Sequence, residues 1–185
     1  MAEEIPLYNP EILDKFNLGE RYNALKQDGT LLVRPLYASD YNRGFLELLK
    51  ELTEVGDITQ KQFEDRFNLM KNCSNMYYCT VIVDVEKDRI IGAATLLMEL
   101  KFIRGCALRA RLEDVVVSPL YRGKQLGKCI VEVVTNLGHA LGGYKMSLDC
   151  KDQMVPFYLS LGYKKEPGNS NTLSIRYPSN SEAKL

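Results

Sequence analysis

The chain has 185 residues, with 24 Lys and Arg against 24 Asp and Glu, 45% hydrophobic and 26% charged side chains. This balance excludes a disordered chain and a membrane protein, and a zero net charge lacks the basic excess with which polyanion binders release counterions. The single His139 and the widely spaced Cys73, Cys79, Cys106, Cys129 and Cys150 give no support for a zinc site, a Ser-His or Cys-His nucleophile or a disulfide framework, so reduced cytoplasmic thiols are expected.

Residues 1–30 read as a polar N-terminal arm that drapes over the body. The start Met-Ala-Glu-Glu-Ile-Pro is acidic and unlike a secretory leader, and Pro6, Pro10 and Gly29 break any period. Leu31–Pro35 is expected as a first strand. Asp40 is expected to cap a helix bearing Phe45, Leu46, Leu48, Leu49 and Leu52 that stops at Gly56. Thr59 and Gln62 have capping-box spacing and open a second helix with Phe63, Phe67 and Met70 on one face. Tyr77–Asp84 and Ile90–Lys101 are β-rich runs joined by Glu86-Lys87-Asp88-Arg89, and Arg109–Val117 is a third long strand. The longest apolar run, Ile90–Met98, has about half the roughly 20 residues of a membrane span. Ser118-Pro119 turns the chain into Arg122–Lys128, which enters a helix bearing Ile130, Val133, Val134 and Leu137 and ending at Gly142-Gly143. A strand Tyr144–Asp149, a short helix Val155–Leu161 closed by Gly162, a last strand Leu173–Tyr177 and a polar tail over 178–185 follow. No repeat or linker interrupts the order, which predicts one α/β body over 31–177.

The most informative stretch is Glu113-Asp114-Val115-Val116-Val117 followed by Arg122-Gly123-Lys124-Gln125-Leu126-Gly127-Lys128. A strand feeding a Gly- and Lys-containing turn at a helix N terminus presents free backbone N–H groups to a phosphate, which also gains from the helix dipole. The same pattern fits a plain glycine turn with solvated lysines. It is neither a Walker A loop nor a dinucleotide fingerprint, because GxxxxGK[ST] and GxGxxG are both absent. The turn is also locally basic: Lys101–Lys128 holds seven Lys and Arg against two acids, a net +5 within the neutral chain.

Arg122 and Gly127 match the ends of the Q/R-x-x-G-x-G/A signature, with Gln125 where the central glycine is usual, so the run resembles the GNAT superfamily of acetyl-CoA N-acyltransferases. Leu52-Thr53-Glu54-Val55-Gly56, Lys101-Phe102-Ile103, Tyr144-Lys145, Leu148-Asp149-Cys150 and Phe157-Tyr158 followed by Gly162-Tyr163 extend the likeness. Together they resemble, in order, the eukaryotic glucosamine 6-phosphate N-acetyltransferases over roughly 31–177. The resemblance implies an N-acetyltransferase (GNAT) domain of α/β (α+β) class: a single mixed, mostly antiparallel sheet, splayed between the fourth and fifth strands and flanked by helices. It implies acetyl transfer from acetyl-CoA to the amine of D-glucosamine 6-phosphate, towards UDP-N-acetylglucosamine, by direct attack. A homodimer with composite sites, and no metal, nucleic acid or integral membrane segment, complete the expectation.

Residue roles follow from the same resemblance. The Val115 backbone N–H faces the thioester oxygen, Asp149 orients the amine, Tyr158 serves the leaving thiolate, and Glu113 contacts sugar hydroxyls and relays a proton. Val115, Val116, Val117, Arg122, Gly123, Lys124, Gln125, Leu126, Gly127 and Lys128 hold CoA, joined by Met154, where the family usually carries Asn, and by Val155 and Pro156. Lys101, Arg104 and Arg176 are the cations for the sugar phosphate, with Arg176 entering the neighbouring subunit's site. Thr53, Asp114 and the pair Val134-Thr135 are further sugar contacts, the pair acting across the dimer. Without the resemblance, Asp149 reads as a turn carboxylate, Tyr158 as core or rim, and the cations as surface residues. Asp114 is equally a structural residue, and strand alternation points Glu113 and Asp114 to opposite faces. Alternation likewise predicts Cys150 as a buried structural thiol opposite Asp149. Two other functions fit: an acyl-CoA N-acyltransferase with a peptide, polyamine or different amino-sugar acceptor, and a non-catalytic acetyl-CoA-binding module.

Overall fold

Runs of β-branched and aliphatic residues set the frame. The computed structural model describes residues 4–168 and 172–175, and these divide into two bodies, one ending at Leu148 and one beginning at Asp149. In the first body five strands, β1 (Leu31–Pro35), β2 (Tyr77–Asp84), β3 (Arg89–Leu100), β4 (Leu108–Val117) and β5 (Gly143–Ser147), form one sheet in sequence order. The first four pair antiparallel and β5 runs parallel to β4, the mixed, mostly antiparallel sheet that was expected. The β4/β5 ladder runs from Leu108↔Gly143 to Arg111↔Ser147, whereas β4 continues to Val117.

β2 and the first half of β3 are buried at successive positions, so helices cover both faces of the sheet. The helices before β2 are α1 (Ile12–Lys15), α2 (Glu20–Asp28), α3 (Phe45–Leu49) and α4 (Gln60–Asn72); α5 (Ile103–Cys106) is a short kinked turn between β3 and β4, and α6 (Leu126–Ala140) precedes β5. α6 packs over β3, β4 and β5 and touches α2, while α3 and α4 gather on a 3-10 turn, Ala38–Arg43. Ile130, Val131, Val133, Val134 and Leu137 of α6 are wholly buried, each contributing about 1.5–3 kcal/mol, which fixes that helix firmly on the sheet.

The N-terminal arm packs on the body: Leu7, Tyr8, Leu13, Leu18 and Tyr22 are buried, and the Leu7 N–H donates to the Leu36 carbonyl at 2.8 Å. These residues show no period because the chain crosses the sheet in short pieces. The helix expected from Asp40 is broken at Gly44, whose φ of 78° separates the 3-10 turn from α3. Asp40 is not the N-cap of that helix but the third residue of the 3-10 turn, in a capping box with Tyr37. It is fully buried and accepts two hydrogen bonds from Arg34, at 2.7 and 2.8 Å, and one from the Tyr37 N–H at 2.7 Å. The capping box at Thr59 and Gln62 forms as its spacing predicts.

In the second body a 3-10 turn, Asp152–Met154, leads into α7 (Val155–Leu159), which is shorter than the expected helix and keeps Pro156 in its first turn. The Tyr158 ring stands edge-on to Phe157 and Tyr163 at 5.0 and 5.7 Å. The expected last strand is not formed over 172–175; Arg176 and Tyr177 lie outside the described residues.

Two polar anchors brace the first body. Arg34 and Asp40 form a buried bidentate pair, and Arg43 extends it to Glu4 and Asp88, joining β1, the 3-10 turn and the β2–β3 turn. Asp84, at the end of β2, accepts from the Tyr121 hydroxyl and from Lys87, contacts that hold its carboxyl at about 2. Removing one partner of a buried pair leaves the other charge uncompensated, so Asp40→Ala is expected to lower unfolding free energy by about 3–5 kcal/mol, measured by denaturant melts at pH 7. Because the folded Asp84 carboxyl titrates below its ordinary 3.8, its stabilisation is complete above about pH 4 and fades as pH falls through about 2. The melting-temperature gap between the unaltered protein and Asp84→Asn should therefore be constant at neutral pH and close near pH 2; an undiminished gap at pH 2 rules this out.

Candidate active site

The turn before α6 departs from regular geometry in a way that opens its helix end. A 3-10 turn, Pro119–Tyr121, buries the Tyr121 ring, Arg122 is extended, Gly123 has φ 82° and Gln125 has φ 58°. The left-handed conformation at Gln125 costs about 1–2 kcal/mol for a residue with a side chain. It does here what glycine does freely, so the glutamine keeps the turn of the signature. Gln125 is the N-cap of α6 yet makes no side-chain cap, and no atom lies within 4 Å of a Cβ built on Gly123. The first N–H groups of a helix have no intrahelical partner and carry the positive end of its dipole, about half a unit charge. Arg122 and Lys124 are exposed beside them. Lys124 and Lys87 bring Nζ atoms to 5.3 and 5.0 Å from the Tyr121 ring centroid, and burial of Leu126 leaves its backbone rather than its side chain for a ligand. These residues fit a pyrophosphate. A cavity of about 390 Å³ adjoins the turn, lined by Arg21, Ala24, Leu25, Gly123, Lys124 and Gln125 among others.

β4 is irregular where the signature begins. Ala93 pairs with Val116 and Thr95 with Glu113, so two steps on β3 match three on β4, and Asp114 takes φ 51°. This bulge falls on the stretch where regular alternation was expected for Glu113 and Asp114. Asp114 is exposed in the single chain, yet partial desolvation by the protein around it and the neighbouring Glu113 push its carboxyl up, so the two acids sense each other. Glu113 accepts from Arg111 Nε. Val115, Val116 and Val117 follow the bulge and lie beyond the last β4/β5 pair at Arg111.

The basic residues of the β3–β4 connection gather with acids that sequence reading missed. Lys101 lies 2.6 Å from Glu99 and holds its carboxyl down, Arg109 stands opposite Glu99 in the ladder, and Arg109 donates to Ser147 at 2.9 Å. Only the register reveals that pairing. Arg104 lies 5.0 Å from the Tyr144 ring centroid. Thr53 is exposed in the bend after α3, Gly127, Lys128 and Thr135 are half-buried, and Arg176 lies outside the described residues. Val134 corrects its expected role: it is wholly buried on the core face of α6, so its side chain cannot reach a neighbouring subunit's substrate.

In the second body Asp149 is exposed and accepts from the Thr172 hydroxyl at 2.8 Å. Burial, with lesser effects of Cys150 and Tyr163, pushes the Tyr158 phenol up to about 12, so it keeps its proton at physiological pH. Met154 and Pro156 are exposed and Val155 is half-buried. Cys150 is exposed, not buried, because β5 ends at Ser147 and its alternation does not extend that far. None of the five cysteines is in a disulfide. Among the described residues no group of three or more His, Cys, Asp or Glu is placed to hold a metal ion, and no helix is long and apolar enough to cross a membrane.

Comparison with known proteins agrees with this geometry. The family model described as "Acetyltransferase (GNAT) family" matches residues 40–163. A Drosophila melanogaster protein named "Probable glucosamine 6-phosphate N-acetyltransferase" is 51% identical, covering 96% of this chain and 84% of its own. A Dictyostelium discoideum "Glucosamine 6-phosphate N-acetyltransferase 1" is 40% identical over 75% of this chain and 88% of its own. The crystal structure of the Arabidopsis thaliana glucosamine-6-phosphate N-acetyltransferase superposes with a TM-score of 0.76 at 34% identity, covering 80% of this chain and 99% of that one. The sheet order, the turn entering α6 and these matches lead to one conclusion: the chain belongs to the GNAT acetyltransferase family.

Proposed function

We propose that this protein transfers the acetyl group of acetyl-CoA to the amine of D-glucosamine 6-phosphate, giving N-acetyl-D-glucosamine 6-phosphate and CoA, in the cytoplasm and on the route to UDP-N-acetylglucosamine. The observation that carries the reading is the 51% identity, over nearly the whole chain, to a relative named for that reaction. The uncapped N terminus of α6 beside Arg122 and Lys124 supports a bound pyrophosphate.

In this reading the turn from Arg122 to Lys128 anchors CoA, with Val116, Val117, Met154, Val155 and Pro156 along its arm. Asp149 orients the neutral amine for direct attack on the thioester carbon. The Val115 N–H stabilises the oxyanion of the tetrahedral intermediate, a donor typically worth a few kcal/mol of barrier. Collapse of the intermediate breaks the C–S bond, and the Tyr158 phenol gives its proton to the departing thiolate. Glu113 takes up the amine proton through water. Lys101 and Arg104, with Arg176 from a second copy, hold the sugar phosphate, and Thr53, Asp114 and Thr135 contact the sugar. Large exposed apolar side chains support a homodimer: Phe102 is 95% and Leu173 92% exposed in the single chain.

Thiol release from acetyl-CoA tests the reaction across glucosamine 6-phosphate, glucosamine, a polyamine and a peptide amine. Two charge-assisted contacts to the phosphate predict a kcat/KM roughly 100-fold above that for glucosamine; equal turnover of the two sugars overturns the phosphate assignment, and no release with any acceptor leaves a binding module. Tyr158→Phe should lower kcat by about 100-fold or more, and the phenol should cause no loss of rate below about pH 10, since its raised pKa keeps the donor protonated. Sedimentation should give a dimer that Phe102→Glu dissociates; a monomer for the unaltered chain sinks the composite site.

A further inference from the structure

We infer that Arg21, carried on α2 ahead of the first strand, is a positioning residue for the cofactor turn: it holds the Gln125 side-chain amide away from the N terminus of α6. Three observations meet at this point. Arg21 Nε donates to Gln125 Oε1 at 3.3 Å, and Arg21 Nη1 donates to Glu132 Oε2, about two turns further along α6, also at 3.3 Å. Gln125 occupies the N-cap position in the left-handed conformation without capping the helix. The entry to α2 lies beside the same carboxylate, because a Cβ on Gly19 would meet the Glu132 side chain.

The consequence follows from hydrogen-bond supply. A short side chain with an oxygen at an N-cap folds back onto the N–H groups of the first turn, and the longer Gln125 amide, left untethered on an exposed flexible stem, can reach the same groups. Those are the groups that a pyrophosphate needs. A glutamine in this position is therefore an internal competitor for the ligand unless its oxygen is engaged elsewhere. The guanidinium supplies two donors in a fixed fork, one for Gln125 and one for Glu132, and so ties the competing oxygen to the body of α6. The segment before the first strand thereby tunes the affinity of the cofactor turn without touching the reacting atoms.

This inference rests on the assignment of acetyl-CoA to that turn, and steady-state kinetics with glucosamine 6-phosphate separate the two. Absence of acetyl-CoA turnover by the unaltered protein overturns the assignment and the inference with it. Given turnover, Arg21→Ala should raise the KM for acetyl-CoA about 3- to 10-fold, the loss of roughly one solvent-exposed hydrogen bond, with kcat within about twofold. Gln125→Gly keeps the left-handed turn and removes the competitor, so adding Arg21→Ala to it should change KM no further. Glu132→Gln, which weakens the same clamp from its other end, should produce a smaller rise in KM and serves if Arg21→Ala fails to fold, as judged by its melting. An unchanged KM in the single variants, a fall in kcat in step with the rise in KM, or an equal rise in the Gln125→Gly background overturns the clamp alone.

Discussion

A helix that begins at the surface leaves its first N–H groups without partners, and a protein can satisfy them with a side chain or leave them for a ligand. α6 has no side-chain cap at its N terminus. Its apolar stripe is wholly buried against β3, β4 and β5, so the helix does not depend on a cap for its stability, and Gln125 is left-handed and makes no cap. The free end, held by tertiary burial rather than local hydrogen bonding, is what the surrounding elements serve. Tyr121 fixes the approach of the chain from one side and α2 closes the other.

The polar anchors show how this is done in a domain whose charges sum to zero. The Asp84, Tyr121 and Lys87 contacts tie the end of β2 to the turn entering α6. The Arg34 and Asp40 pair, with Arg43, ties β1 to the 3-10 turn and the β2–β3 turn. A buried pair of this kind adds little net stability over an apolar replacement, because desolvation offsets attraction, but losing one partner is costly. Its effect is to specify which segments meet. Asp114 within β4 and Gln125 at the start of α6 are both left-handed, one on each side of the strand-to-helix connection.

Much of the frame was legible because its signals are periodic or local. The capping box at Thr59 and Gln62, the β-rich runs and the apolar stripe of α6 each depend on neighbours in sequence. The errors occurred where a distant partner decides. Asp40 has the composition of a cap and the spacing of a helix start, yet Arg34 claims its carboxylate. Val134 lies within a recognised pattern, yet the sheet covers it. Glu113 and Asp114 would alternate on a regular strand, but the mismatch with β3 inserts a bulge. The first 30 residues looked polar because their buried side chains are scattered, and only the surfaces they cross reveal them as core.

By itself the sequence determined the order of strands and helices, the turn before α6 and the likeness to an acetyltransferase family, since all of these rest on local pattern and motif. The tertiary structure alone decided which charges pair, which strand bulges, which face of α6 is closed and how the chain before β1 reaches the turn entering α6. The reason is physical. A carboxylate or guanidinium takes the partner that burial leaves beside it, and hydrogen-bond and ion-pair energies act over a few ångströms in space regardless of separation along the chain.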